Sequence, residues 1–92
     1  MLFMLVSRAK PGRDREQLIE QLTHQIHPET WDLVRRGALS HILYKVGEEP
    51  GFFALLNASD REEAQSLVDG SKSRLDAFEL DIHPVKHFPH FD

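Results

Sequence analysis

The sequence predicts an α+β domain, a split β-α-β plait in which one antiparallel sheet carries both helices on a single face. Three observations predict it. Apolar periodicity runs in the order strand, helix, strand, strand, helix, strand over residues 1–92, a length suited to one domain. The two middle strand-like runs, "ALSHILYKV" and "FFALLNA", are separated only by "GEEPG", short enough for a hairpin. Two strands are also apolar on both faces: Leu2, Met4 and Val6 oppose Phe3 and Leu5, and Phe52, Ala54 and Leu56 oppose Phe53 and Leu55. A sheet with one wet face would alternate apolar with polar. The face away from the helices therefore needs a cover of its own, and a second copy of the chain is the simplest one.

Each element has its own signals. Leu2 to Ser7 is a strand closed by the turn residues Pro11-Gly12. From Asp14 the segment "DREQLIEQLTHQIH" places Leu18, Ile19, Leu22 and Ile26 at helical spacing, with Asp14 as N-cap and Gln17 completing a capping box. Pro28 disfavours helix at His27, so the helix either kinks there or restarts as "PETWDLVRR". Trp31, Val34 and Leu33 continue the buried stripe, Arg35-Arg36 suit the helix C-terminus, and Gly37 stops it. In "SDREEAQSLVDG", Ser59 and Glu62 give the Ser-x-x-Glu cap of a second helix. Ala64, Leu67 and Val68 form its stripe and Gly70 ends it. The last strand runs from Phe78 to about Val85.

Composition limits the function. A net charge of −4 argues against nucleic-acid binding, which favours a basic face. The opening "MLFMLV" is too short for a membrane span and lacks the charged start of a signal peptide, so a soluble, cytoplasmic protein is expected. A chain this short buries only roughly 60–65% of its unfolded surface. With no cysteine available for disulfides, oligomerisation is the common remedy. No glycine-rich phosphate loop, dinucleotide fingerprint or Cys/His zinc pattern is present, and no cofactor is expected.

Several segments together resemble a known family: "MLF" at the start, "RGALSHILYKVG" with Gly37, His41 and Val46-Gly47, "NAS" before the second helix, and "FELDIHPV" near the end. The chain is similar to the dimeric α+β barrel proteins, and within them to the muconolactone isomerases. The resemblance implies a ferredoxin-like plait, two subunits closing their sheets face to face, and cofactor-free chemistry that shifts the double bond of a lactone during breakdown of aromatic compounds. It also matches His41 to the histidine of the isomerase motif. Where the isomerases carry a Leu-Pro-Leu-like segment before the last strand, this chain has "SKSRLDA"; where they carry an Arg before that histidine, it has Ser40.

The candidate chemical groups follow from strand alternation. In the last strand Phe78, Leu80 and Ile82 share one face, and Glu79, Asp81, His83 and Val85 the other. Asp81 and His83, about 6.5–7 Å apart along the strand, suit an orienter and a base, because a histidine with a carboxylate partner titrates near neutral pH. His41 is read on one face with Leu39 and Leu43, and Lys45 on that face as an anion contact. His27 and Trp31, one turn apart around Pro28, are candidates to touch a substrate, and Tyr44 falls on the opposite strand face from His41. His83, His87 and His90 carry helical metal-ligand spacings, but Pro84 and Pro89 exclude a helix, so no metal site is expected. The expected function is proton transfer next to a carbonyl in a small lactone or aromatic-breakdown product, with His41 and His83 as acid–base groups and Asp81 as orienter. The alternatives are a non-catalytic small-molecule-binding or assembly module of the same fold, and a related lyase, dehalogenase or monooxygenase.

Overall fold

A turn through Gly12, at φ 81°, ends the first strand, and Asp14 then caps the first helix. The Gln17 N–H donates to Asp14 Oδ1 at 2.8 Å, and the Asp14 N–H donates back to Gln17 Oε1 at 3.4 Å, the reciprocal capping box. The computed structural model describes residues 1–23, 28–45 and 47–87. Its elements are β1 (Leu2–Ala9), α1 (Arg15–Thr23), α2 (Pro28–Arg35), β2 (Leu39–Tyr44), β3 (Phe52–Asn57), α3 (Arg61–Asp69) and β4 (Phe78–Val85). The strand–helix order is the one the periodicity predicts, except that the first helical region yields two helices.

Pro28 accounts for the extra helix. It opens α2 as the first helical residue, a position where its missing N–H costs nothing. Ile26 and His27 lie outside the described residues. The buried stripe is also narrower than predicted. Leu18 and Leu22, one turn apart, point into the core, while Ile19, rotated about 100° from Leu18, is 43% exposed. On α2 the inward residue is Leu33; Val34 is exposed and Trp31 is 52% exposed, so neither continues the stripe. The helix closes as a Schellman motif. Gly37, at φ 77°, donates its N–H to the Val34 carbonyl at 3.1 Å, and Ala38 donates to Leu33 at 2.9 Å.

The four strands form one antiparallel sheet in the order β2-β3-β1-β4. Phe3 and Leu5 of β1 stand opposite Leu56 and Ala54 of β3, and Leu5 stands opposite Ile82 of β4. These residues are buried beneath Leu18, Leu22, Ala64 and Val68 of the helices. The other face carries Leu2, Met4 and Val6 of β1 with Phe53 and Leu55 of β3, and among the described residues no helix lies over it. Both sheet faces are therefore apolar, as the strand pattern predicts. Among the described residues no helix is long and apolar enough to cross a membrane.

Two local predictions are corrected. The cap of α3 is Asp60 rather than Ser59: Asp60 Oδ1 accepts the Glu63 N–H at 2.8 Å, and the Ser59 hydroxyl instead donates to the Glu63 carboxylate at 2.7 Å. In β2, Ser40 stands opposite Leu55 and Leu43 opposite Phe53, so His41 and Ile42 together face the single residue Ala54. This is a β-bulge, with His41 at φ 51°. It breaks the alternation that placed Leu39, His41 and Leu43 on one face. Leu39 is buried in the core, Ile42 packs against it, and Leu43 lies on the open face, 62% exposed.

Near the other end of the sheet, Ser7 is fully buried, and its Oγ accepts the Phe52 N–H at 2.8 Å. A Cβ at Gly51 would fall 2.8 Å from that oxygen, which is why only glycine fits there.

Candidate functional site

The alternation of β4 sends Glu79, Asp81 and His83 to the open face, where they stand beside Arg8, Val6 and Met4 of β1 respectively. Arg8 belongs to the same alternating series as Met4 and Val6, so its side chain emerges among the acids. Its Nε donates to Asp81 Oδ2 at 2.7 Å, and its Nη2 lies 2.9 Å from Glu79 Oε2. The Arg8 hydrogen bond holds the Asp81 carboxyl below the usual carboxylate range; partial burial opposes this, and the Arg8 and His83 charges act with it. The same partners raise Arg8 further above its ordinary value, the Asp81 hydrogen bond foremost. Asp81 is thus a fixed anion, better suited to orienting a cation or imidazolium than to taking a proton. His83, two residues along, is exposed on the same face.

Arg8 is the functional candidate that the sequence reading omitted. Its signal was present, because a cation opposite two acids on the same strand face is a stabilising cross-strand pair.

His41 lies on β2, at the opposite edge of the sheet. Its Nδ1 is 3.1 Å from Ser40 Oγ, and the ring is exposed. Three strand spacings, about 14 Å, separate β2 from β4 within one chain. The structure brings Asp81, His83 and Arg8 together and leaves His41 apart from them. Lys45 is engaged elsewhere: its Nζ donates to the Ser7 carbonyl at 2.8 Å and sits 5.4 Å from the centroid of the Phe53 ring. Trp31 lies in the helical layer, on the other side of the sheet from Asp81 and His83. Tyr44 reaches the helical side too, its hydroxyl 3.5 Å from the Leu22 carbonyl. His27 falls outside the described residues, and His87 is exposed just beyond β4.

Between sheet and helices lies a cavity of about 50 Å³, lined by Leu5, Leu39, Ile42, Phe52 and Leu80, with Gln21, Thr30, Ser71 and Arg74 around it. A cavity that admits benzene measures about 150 Å³, so this one is too small for a six-membered ring. Its larger polar groups are also already paired. Arg74 donates to Glu29 at 2.8 Å and to Ser71 at 3.4 Å, and Gln21 accepts the Ala77 N–H at 2.9 Å. It contains no acid–base pair, whereas the open face does.

No protein-family profile matches the chain, and no curated protein sequence matches it. Solved structures similar to it include two enzymes. One is 5-chloro-2-hydroxyhydroquinone dehydrochlorinase from Burkholderia phenoliruptrix AC1100 in complex with 2,5-dihydroxybenzoquinone, with a TM-score of 0.71 at 18% identity over 100% of both chains. The other is muconolactone isomerase, with a TM-score of 0.61 at 16% identity over 100% of this chain and 96% of that one. At such identities the likeness is one of fold. The chain has the α+β, ferredoxin-like fold of these two proteins, which bears out the fold that the sequence resemblance implies.

Proposed function

We propose that this protein is a cofactor-free enzyme that moves a proton next to the carbonyl of a small ring compound, a lactone or another product of aromatic breakdown. The observation that carries this reading is the Arg8–Asp81–His83 arrangement on the uncovered sheet face: a carboxylate held ionised by a 2.7 Å arginine contact beside an exposed imidazole. His83 takes the proton from the carbon next to the carbonyl. Asp81 orients the imidazole and stabilises the imidazolium that forms, and Arg8 positions Asp81. The imidazolium then returns the proton at a different carbon of the ring, so the double bond moves and no redox partner is consumed. His41 is the second acid–base group, and Lys45, His27 and Trp31 are the proposed substrate contacts, of which Lys45 and Trp31 lie away from Asp81 and His83 within one chain. The fold shared with an isomerase and a dehydrochlorinase supports a small ring compound as substrate.

The uncovered face also favours a homodimer. Leu2, Met4, Val6, Leu43, Phe53 and Leu55 make it apolar, and a second copy shields those residues together with the catalytic groups from water.

The test is NMR of the protein with muconolactone in D₂O, following deuterium into the carbon next to the carbonyl. Exchange that falls about 10²–10⁴-fold in His83→Ala, and measurably in Asp81→Asn, is the expected result. Exchange no faster than without protein would remove the isomerase reading for this substrate. The same sample titrated with 2,5-dihydroxybenzoquinone then reports, through the His83 ring resonances, whether a ring compound binds this face at all.

A further inference from the structure

We infer that Arg8 is itself a catalytic residue: the free edge of its guanidinium receives the oxygen that turns negative as His83 takes the proton. This rests on the acid–base reading above and supplies what that reading lacks, a donor for the developing oxyanion.

The need is chemical. When the C–H bond next to a carbonyl breaks, its electron pair becomes the new C=C bond and the carbonyl π pair moves onto oxygen. The proton is then on His83 and the negative charge on an enolate oxygen. Removing one donor aimed at such an oxygen costs about 10²–10³ in rate. Lys45 is poorly placed to be that donor. Its Nζ is engaged with the Ser7 carbonyl at 2.8 Å and lies over the Phe53 ring. Phe53 stands opposite Val6 and Val6 opposite Asp81, so Phe53 and Asp81 are two strand spacings, about 10 Å, apart.

Arg8 has both the position and the donors. A guanidinium carries five N–H groups in a planar fork. Nε and Nη2 share one edge of the fork, and the acids fill that edge. Nε donates to Asp81 Oδ2 at 2.7 Å, and Nη2 lies 2.9 Å from Glu79 Oε2. Nη1 has no hydrogen-bond or ion-pair partner among the described residues. The side chain is 57% exposed, so this second edge is open to a ligand. Two carboxylates along the first edge hold the fork in one orientation, which sets the free edge before any charge appears.

The charges also match the reaction. Proton transfer turns an uncharged imidazole and an uncharged carbonyl group into an imidazolium and an enolate. Asp81 and Arg8 are a fixed pair of opposite charges beside them, in contact at 2.7 Å. Asp81 is one strand repeat, about 6.5–7 Å, from His83. The imidazolium therefore forms near the carboxylate, and the guanidinium is left for the enolate. A pair so arranged stabilises the charge-separated state and does little for the uncharged one, which is the requirement for catalysis rather than binding.

Arg8 also orders Asp81, so a loss in one Arg8 variant does not by itself identify a substrate contact. A double-mutant cycle does. With muconolactone in D₂O, Arg8→Gln is expected to lower kcat for exchange about 10²-fold with KM little changed. In an Asp81→Asn background it should lower kcat by a similar factor again. Arg8→Lys, which keeps the charge and loses the fork, should recover part of the rate, and circular dichroism checks that each variant keeps the fold. An Arg8→Gln change without effect once Asp81 is replaced would confine Arg8 to positioning and overturn the proposal. A loss carried by KM alone would overturn it too. Those outcomes judge Arg8 while the acid–base reading stands; a wild type that catalyses no exchange removes that reading for muconolactone. Binding then judges the donor. The enolate form of 2,5-dihydroxybenzoquinone should bind Asp81→Asn about 10-fold more tightly than Arg8→Gln/Asp81→Asn, and equal or absent binding would overturn the proposal.

Discussion

A strand residue at φ 51° is an uncommon thing to find outside glycine, and His41 is the one described non-glycine residue with positive φ. The left-handed region costs an ordinary side chain about 1–2 kcal/mol. The imidazole is exposed and packs into no core, so burial of the ring does not offset that cost; its contact is Nδ1 at 3.1 Å from Ser40 Oγ. His41→Gly should therefore raise the urea midpoint, by up to about 1 kcal/mol in stability, while lowering the deuterium-exchange rate; a lowered midpoint would mean that the ring makes a contact worth more than the strain. Asp81 behaves differently with pH. Its folded pKa lies below the unfolded value of about 3.9, so the stabilisation from Arg8 is complete above that pH and fades as pH falls through the folded value. The melting-temperature gap between wild type and Asp81→Asn should narrow steadily from about pH 5 to pH 2. The alternation of "FELDIHPV" was enough to put Asp81 and His83 on one face. Placing His41 was beyond alternation, because one positive φ in "LSHILYK" swaps the facing of every residue after it.

At the scale of elements, the sequence contained two adjacent caps for α3, Ser59 with Glu62 and Asp60 with Glu63, and both fit a capping pattern. The chain uses Asp60, and the Ser59 hydroxyl then bonds the Glu63 carboxylate, so the two residues do not contribute equally. Asp60→Ala should cost about 1 kcal/mol and Ser59→Ala clearly less, measured by denaturant unfolding; the reverse order would return the cap to Ser59. The same scale explains why α1, the hairpin and α3 were legible while the division of the first helical region was left open. Pro28 is compatible with a kink or a fresh start, and the sequence pattern alone does not choose between them. The helical stripe predicts Trp31 inside, yet it takes the exposed side of a helix with no fully buried residue.

For the whole molecule, the open sheet face is the dominant fact. It was visible in the sequence as strands apolar on both sides, but the cavity under the helices was not, since voids arise from how side chains fit and leave no periodic trace. A charge placed at the centre of the open face tests the proposed dimer. If the proposed dimer forms, the wild type sediments as a dimer and Val6→Glu, beside Asp81 and Phe53, as a monomer at the same concentration with its circular dichroism unchanged; a wild type that sediments as a monomer would overturn the dimer. A variant that still dimerises would show that the contact lies elsewhere.

The bulge in β2 has a consequence that concerns counting. With His41 omitted, the remaining residues Leu39, Ser40, Ile42, Leu43 and Tyr44 alternate without a break: core, open face, core, open face, helical side. The ladder to β3 and the packing of the sheet are complete without it. His41 is a supernumerary residue, present in the chain but not needed by the fold's arithmetic. A strand that carries one residue more than its register requires, in a strained backbone state and with its side chain held outside the core, leaves that position open to the acid–base role proposed for His41.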